Sequence, residues 1–177
     1  MTIIYTDGDI LMDPAEAIVI PVNTVGVPGA GLAKAWAKKD PDAASVYESL
    51  CEKGLVEVGE INITPALHRT HDLLSKSGAS VIHGDSRWIM FPTKEHWKHP
   101  SQLEWIEKGL IDLQPQVIGL ESLAVPALGC GLGGLEWDDV RRLMEIYLLP
   151  LRIPINIYLP KLALPKEHRD DVSSANM

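Results

Sequence analysis

Two stretches of this chain set a glycine-rich loop between an apolar run and a helix-prone segment, and that repeated order constrains the fold more than any other feature. In the first, the nearly continuous apolar run 17–22 leads into Gly26-Val27-Pro28-Gly29-Ala30-Gly31, and residues 32–39 follow, rich in the Ala and Lys that helices favour. In the second, the run 123–126 leads into Gly129-Cys130-Gly131-Leu132-Gly133-Gly134, after which Trp137, Val140, Met144 and Tyr147 recur at helical spacing. A buried-type strand, a loop and a helix repeated in this way build an α/β layered domain, with a largely parallel sheet and helices on both faces. Such sheets bind ligands in a crevice beyond the C-terminal ends of their strands.

The rest of the chain fits the same plan. Residues 2–5 read as a short strand stopped by the turn-forming Asp7-Gly8-Asp9. Asp40-Pro41 supplies an N-cap and an N1 proline to a helix carrying Ala44, Tyr47 and Cys51, which Gly54 closes. Residues 61–64 are a strand candidate, and the mixed polar stretch 65–87 has no period on which to assign it. A short strand at 88–92, closed by Pro92, delivers Thr93, Lys94, Glu95, His96 and Trp97 to its C-terminal end. Ser101 and Glu104 are spaced as a capping box for a helix with Leu103, Ile106, Leu110 and Leu113 on one face. A last strand is expected at 153–159. The length of 177 residues suits one core, so residues 1–160 are expected to form one domain and 161–177 a polar tail.

Composition removes several function classes. No apolar run reaches the roughly 18 residues that cross a bilayer, and no basic segment with a hydrophobic block opens the chain, so a cytoplasmic protein without membrane contact is expected. Cys51 and Cys130 lie far apart, which suggests neither a disulfide framework nor a thiolate metal site. His68 with His71, and His96 with His99, are each three apart but lack a third ligand in a metal arrangement, so no metal is expected. With 16 Lys plus Arg against 24 Asp plus Glu the net charge is −8, which disfavours tight non-specific nucleic-acid binding. An enzyme acting on a small anionic adduct carried by DNA needs only local donors and survives that test.

A glycine turn feeding a helix N-terminus bares N–H groups that the helix itself leaves unsatisfied, and the helix dipole adds partial positive charge there. Such a turn suits phosphate, although glycines equally serve tight turns and close helix packing. Neither run ends in the Gly-Lys-Ser/Thr of a P-loop, and neither is the G-x-G-x-x-G of a dinucleotide fold in its expected first turn. What remains is a diphosphate held by main chain alone.

These residues together resemble the macro domains: Asp7-Gly8-Asp9-Ile10, Pro21-Val22-Asn23, Gly29-Ala30-Gly31-Leu32-Ala33, and the run from Pro126 through Leu128 and Gly129 to Trp137. Within them, Phe91-Pro92-Thr93-Lys94 followed by His96-Trp97, and the Leu-Glu-x-Ile-Glu-x-Gly-Leu run from Leu103, are similar to the DarG-type antitoxins, DNA ADP-ribosyl glycohydrolases that reverse thymidine ADP-ribosylation by a DarT toxin. The resemblance implies a three-layer α/β/α sandwich with a mixed, largely parallel six-stranded sheet. It also implies ADP-ribose as ligand, no cofactor, ADP-ribosylated single-stranded DNA as substrate, and a DarT-like toxin as a possible partner. The Ala30 position, where many DarG-type proteins carry lysine, and the lack here of the further C-terminal region such antitoxins use for toxin contact put that partnership in question. Hydrolysis of protein Glu- or Asp-linked ADP-ribose, and a reader that binds and releases nothing, are the alternative functions.

By position, Asp9 would accept from the adenine amine, with the main chain of Ile10 beside it. Asn23, Gly29, Ala30, Gly31 and Leu32 would border the distal ribose. Pro126, Leu128, Gly129, Cys130, Gly131, Leu132, Gly133 and Gly134 would wrap the diphosphate. Lys94 is the candidate catalytic residue: at a strand end inside a crevice a lysine is partly desolvated, which favours its neutral, nucleophilic amine. The eukaryotic hydrolase of glutamyl ADP-ribose has an acidic residue where this chain has Gly133, so a lysine–aspartate dyad is not carried over. Plain alternatives stand beside each assignment: Asp9 as a turn former, Asn23 as a cap, Lys94 as a solvated surface charge, and Cys130 as packing.

Overall fold

The computed structural model of the protein describes residues 3–61 and 87–161. In chain order its elements are β1 (Ile3–Thr6), a 3-10 turn (Ile10–Met12), β2 (Ala17–Asn23), α1 (Gly31–Lys39), α2 (Pro41–Glu52), β3 (Arg87–Lys94), α3 (Leu103–Gln116), β4 (Leu123–Pro126), α4 (Trp137–Leu148), a second 3-10 turn (Leu149–Leu151) and β5 (Ile155–Tyr158). The strands lie in the order β1-β5-β4-β2-β3, and every pairing is parallel.

Five parallel strands, where a mixed six-stranded sheet was expected, are therefore found among the described residues. Each sequence-adjacent pair is joined by a connection long enough to carry the chain back over the sheet, which is what parallel pairing demands. The expected strand at 61–64 does not begin at Ile61, whose N–H instead donates to the Asp112 carboxylate at 2.6 Å and ties the chain to α3. Residues 62–64, like the unassigned stretch 65–86 and the tail from 162, lie outside the described residues.

Strand β2 pairs with β3 on one side and β4 on the other, and its alternate residues feed two separate cores. Ile18, Ile20 and Val22 join Trp36, Ala43, Ala44, Tyr47, Trp88 and Met90 beneath α1 and α2. Ala17 and Val19 join Ile89, Phe91, Ile106, Leu110, Val140 and Met144 beneath α3 and α4. The continuous apolar run is the signature of a strand covered on both faces. Asp40 locks the first layer. Its carboxylate, 1% exposed, accepts from the Ala43 N–H at 2.9 Å, capping α2, and from the Trp88 indole at 2.8 Å, tying that helix to β3.

The expected capping box on α3 does not form. Gln102 occupies the N-cap without a side-chain bond, while the Ser101 N–H donates to the Gly133 carbonyl at 2.9 Å and draws the residue beneath the second glycine loop. Leu103, expected on the apolar face, is accordingly turned outward, while Ile106, Leu110 and Leu113 are fully buried as expected. On α4 the buried stripe is Val140, Met144 and Leu148, flanked by the half-buried Trp137 and Tyr147.

Helix α3 approaches the sheet closely at Gly109, where a Cβ would enter the fully buried Phe91 ring. Gly109→Ala gains about 1 kcal/mol of helix propensity, but overpacking a closed core costs about 1–3 kcal/mol, so packing decides the sign. Chemical denaturation is expected to show Gly109→Ala to be the less stable protein by up to about 2 kcal/mol.

Candidate functional site

Strand β3 ends on Lys94 and β2 on Asn23, and a register slip sets these two residues opposite each other. Val22 pairs with Pro92, but Asn23 pairs with Lys94, so Thr93 is passed over. The Thr24 N–H donates to the Lys94 carbonyl at 3.0 Å and its hydroxyl to that of Glu95 at 2.7 Å, fixing both chain exits side by side.

Asn23 is buried and is spent on the first loop. Its Nδ2 donates to the Val27 carbonyl at 2.9 Å, while its Oδ1 accepts from the N–H groups of Val25 at 3.1 Å and Val27 at 3.3 Å. The Tyr47 hydroxyl contacts the Asn23 carbonyl at 2.7 Å and Oδ1 at 3.0 Å. Burial holds that phenol above its ordinary pKa, so it remains a donor. The loop then enters α1 through Ala30, an N-cap with no side chain to offer, and Gly31, whose φ of +57° suits glycine. Gly29 and Ala30 are exposed, Leu32 packs at the margin of the core, and the Gly31, Leu32 and Ala33 amides find no acceptor among the described residues.

The second loop follows β4, whose last residue is Pro126. Ile10, Leu128 and Cys130, expected near the ligand, send their side chains into the cores, so each has only main chain to offer. Burial pushes the Cys130 thiol up to about 12, which marks it as packing and not a reactive thiolate. Bonds from Cys130 N–H to Ala127, Gly134 N–H to Gly131 and Leu135 N–H to Gly129 shape the turn. They leave the Gly131, Leu132 and Gly133 amides without acceptors among the described residues. The space above Gly131 is open for 4 Å, whereas a Cβ on Gly133 would collide with the Gly129 carbonyl and the Ser101 hydroxyl. An acidic side chain at position 133 has no room here.

The two loops converge. A Cβ placed on Gly31 would lie 3.9 Å from Leu132 Cδ1, which joins the N-terminus of α1 to the crest of the second loop. Lys94 lies against the same crest. It is 9% exposed, and its Nζ donates to the Leu132 carbonyl at 2.8 Å and the Trp97 carbonyl at 3.4 Å. No carboxylate pairs with it among the described residues, and burial holds its amine below the ordinary value of 10.5.

Asp9 is exposed at the end of β1. One carboxylate oxygen accepts from the Leu11 N–H at 3.0 Å, capping the first 3-10 turn, and the Ile10 N–H has no acceptor among the described residues. What holds this turn was not apparent in the sequence. Asp13, buried, accepts from the Ala15 N–H at 2.8 Å, from Asn156 at 3.0 Å and from the Tyr158 hydroxyl at 2.8 Å, while the Lys39 ammonium donates to the Leu11 carbonyl at 2.7 Å. Asp13-Pro14 is a recognisable Asx turn, but its partners on β5 lie more than 140 residues away.

The Macro domain family model matches residues 19–144. The chain belongs to the macro domain family. It is 40% identical over 158 residues to the "DNA ADP-ribosyl transferase-DNA ADP-ribosyl glycohydrolase fusion protein" of Thermosipho africanus, covering 87% of this chain and 41% of that one. Its fold matches the macrodomain of Mycobacterium tuberculosis DarG with a TM-score of 0.75 and 35% identity, over 90% of this chain and 98% of the other. It also matches Thermosipho africanus DarTG in complex with ADP-ribose, with a TM-score of 0.74 and 37% identity, over 93% of this chain and 43% of the other. This macro domain thus groups with the DarG type and spans about two fifths of the length of the curated DNA ADP-ribosyl glycohydrolases it matches. Among the described residues no helix is long and apolar enough to cross a membrane, and no cluster of three His, Cys, Asp or Glu could hold a metal; His68 and His71 lie outside them.

The closure of the second loop around position 133 is directly testable. Gly133→Asp is expected to destabilise the free protein by about 1–3 kcal/mol, read by chemical denaturation, because the loop must open to admit the side chain. Gly131→Ala, facing open space, is expected to leave the thermal midpoint of the free protein within about 2 °C.

Proposed function

We propose that this macro domain binds ADP-ribose and, through Lys94, hydrolyses its bond to thymidine in single-stranded DNA. The observation that carries this reading is a desolvated lysine that has no counter-ion among the described residues, set where two runs of main-chain amides unpaired among those residues meet. The amides of Gly131, Leu132 and Gly133, with the N-terminus of α1, suit a diphosphate. The exposed oxygen of Asp9 suits an adenine amine and the free Ile10 N–H a ring acceptor. The names of the relatives, a DNA ADP-ribosyl glycohydrolase fusion and an ADP-ribose complex, support the ligand and the adduct.

Lys94 would act as a neutral amine. Its lone pair attacks the anomeric carbon of the distal ribose, the bond from that carbon to the base breaks, and the departing nitrogen takes a proton while Nζ gives one up. Water then attacks the same carbon, the Nζ–carbon bond breaks, and free ADP-ribose and the amine are restored. Because the fusion relative joins a transferase to its glycohydrolase, the partner we propose is a DarT-like DNA ADP-ribosyl transferase whose product this domain removes.

Lys94→Ala is expected to cut release from ADP-ribosylated single-stranded DNA by at least about a hundred-fold while free ADP-ribose affinity stays within about three-fold. Turnover surviving in that variant would refute the role of Lys94. Release from a Glu-linked peptide at an equal or greater rate would move the substrate to protein, and no release from either adduct would make the domain a reader.

The pH profile gives a second check. Raising pH removes the Lys94 proton, and burial brings this about at lower pH than in an exposed lysine, so kcat/KM is expected to rise with pH and level off below 10.5. A profile that falls as pH rises would contradict attack by the neutral amine.

A further inference from the structure

The turn that follows Lys94 carries an aromatic and cationic cluster that the reading above does not use. Trp97 is 47% exposed, and the His96 ring stacks on it with centroids 5.4 Å apart and planes 26° from parallel. His99 lies 5.2 Å from His96, and the Lys98 ammonium sits 4.9 Å from the Trp97 ring centre. The His96 Nδ1 accepts from the Lys98 N–H at 3.2 Å, which orders the turn, and the Trp97 carbonyl is 3.4 Å from Lys94 Nζ. This cluster therefore begins within one residue's reach of the reacting group.

A half-exposed indole has a cost in water. Trp97 belongs to neither core among the described residues, whereas a base-stacking surface uses such a ring: every nucleobase offers a π-face, and an adjacent cation attracts the phosphate beside it. On a chain of net charge −8, attraction to a polyanion has to be local, and Lys98, held at the Trp97 ring, is a cation that this turn can offer to a phosphate.

Resting on the glycohydrolase reading, we infer that His96, Trp97 and Lys98 form a docking platform for single-stranded DNA, with Trp97 stacking a base next to the modified nucleotide and Lys98 meeting the phosphate between them. Trp97 is then a specificity-determining residue: it selects an adduct embedded in a strand over the same adduct on an isolated nucleoside. A double helix keeps its bases stacked on one another and cannot offer a free face, so the platform also selects single strands.

The test compares wild type, Trp97→Ala, Trp97→Phe and Lys98→Ala on a single-stranded decamer bearing one ADP-ribosylated thymidine, on ADP-ribosylated thymidine alone and on an ADP-ribosylated peptide. The ratio of kcat/KM for decamer over nucleoside is expected to fall by about ten-fold in Trp97→Ala, with the loss in KM, and to recover in Trp97→Phe. Lys98→Ala is expected to lower the same ratio about three-fold and to flatten its salt dependence. An unchanged ratio, or an equal loss on the peptide, would overturn the platform. If wild type releases nothing from the decamer, the glycohydrolase reading fails by itself. Fluorescence anisotropy of an unmodified labelled decamer, at low salt with ADP-ribose saturating, then decides the platform: about ten-fold weaker binding by Trp97→Ala sustains it and equal binding overturns it.

Discussion

The site depends on a mismatch in the parallel ladder between β2 and β3. Strand side chains alternate faces, so a slip of one residue reverses which face the following residue occupies. By passing over Thr93, the ladder sets Lys94 and Asn23 opposite each other at the last rung, where an unslipped ladder would have paired Asn23 with Thr93. Thr24 then bonds back to the exits of β3, and both chains leave the sheet in a fixed direction. The lysine and the first glycine loop thereby start from one shared point.

Under the proposed function, an acidic chain has to hold a diphosphate against a long-range field of the wrong sign. The arrangement here avoids relying on that field. Unpaired amides act over hydrogen-bond distances, and each is already oriented by the bonds that fold its loop. Asn23 and Tyr47 do this for the first loop, and the short turns between residues 127 and 135 for the second. Lys94 adds its amine to the convergence point without bringing in a carboxylate that would oppose the ligand. Its partners among the described residues are two carbonyl oxygens, which stabilise the ammonium less than a counter-ion does and leave burial to lower its proton affinity.

The glycine loops, the strands before them and the placement of Lys94 could be read in the sequence because each is local: an apolar run of the right length, a cluster of glycines, a residue just past a strand. The work of Asn23, Asp13 and Ser101 could not. Asn23 reads equally well as a cap or a ribose contact until Tyr47 is brought beneath it. Asp13 has its partners on β5, at the far end of the chain. Ser101 and Glu104 carry the spacing of a capping box, yet the pull of the Gly133 carbonyl on the Ser101 amide outweighs a cap worth about 1 kcal/mol at an exposed helix start. Among the described residues the sheet has five strands, and Ile61, expected to open a further one, is claimed instead by Asp112 and Gln116 on α3.

Ser101 lies buried with its hydroxyl unpartnered among the described residues, filling the volume that a side chain at 133 would need. The two positions therefore share one space. An acid cannot be acquired at 133 by a single substitution without forcing the loop open, and removing the hydroxyl alone still leaves the Gly129 carbonyl in the way. A chemistry built on an acid in this loop is separated from the proposed one by several coordinated changes, so the proposed lysine-only arrangement would be a local trap in sequence space.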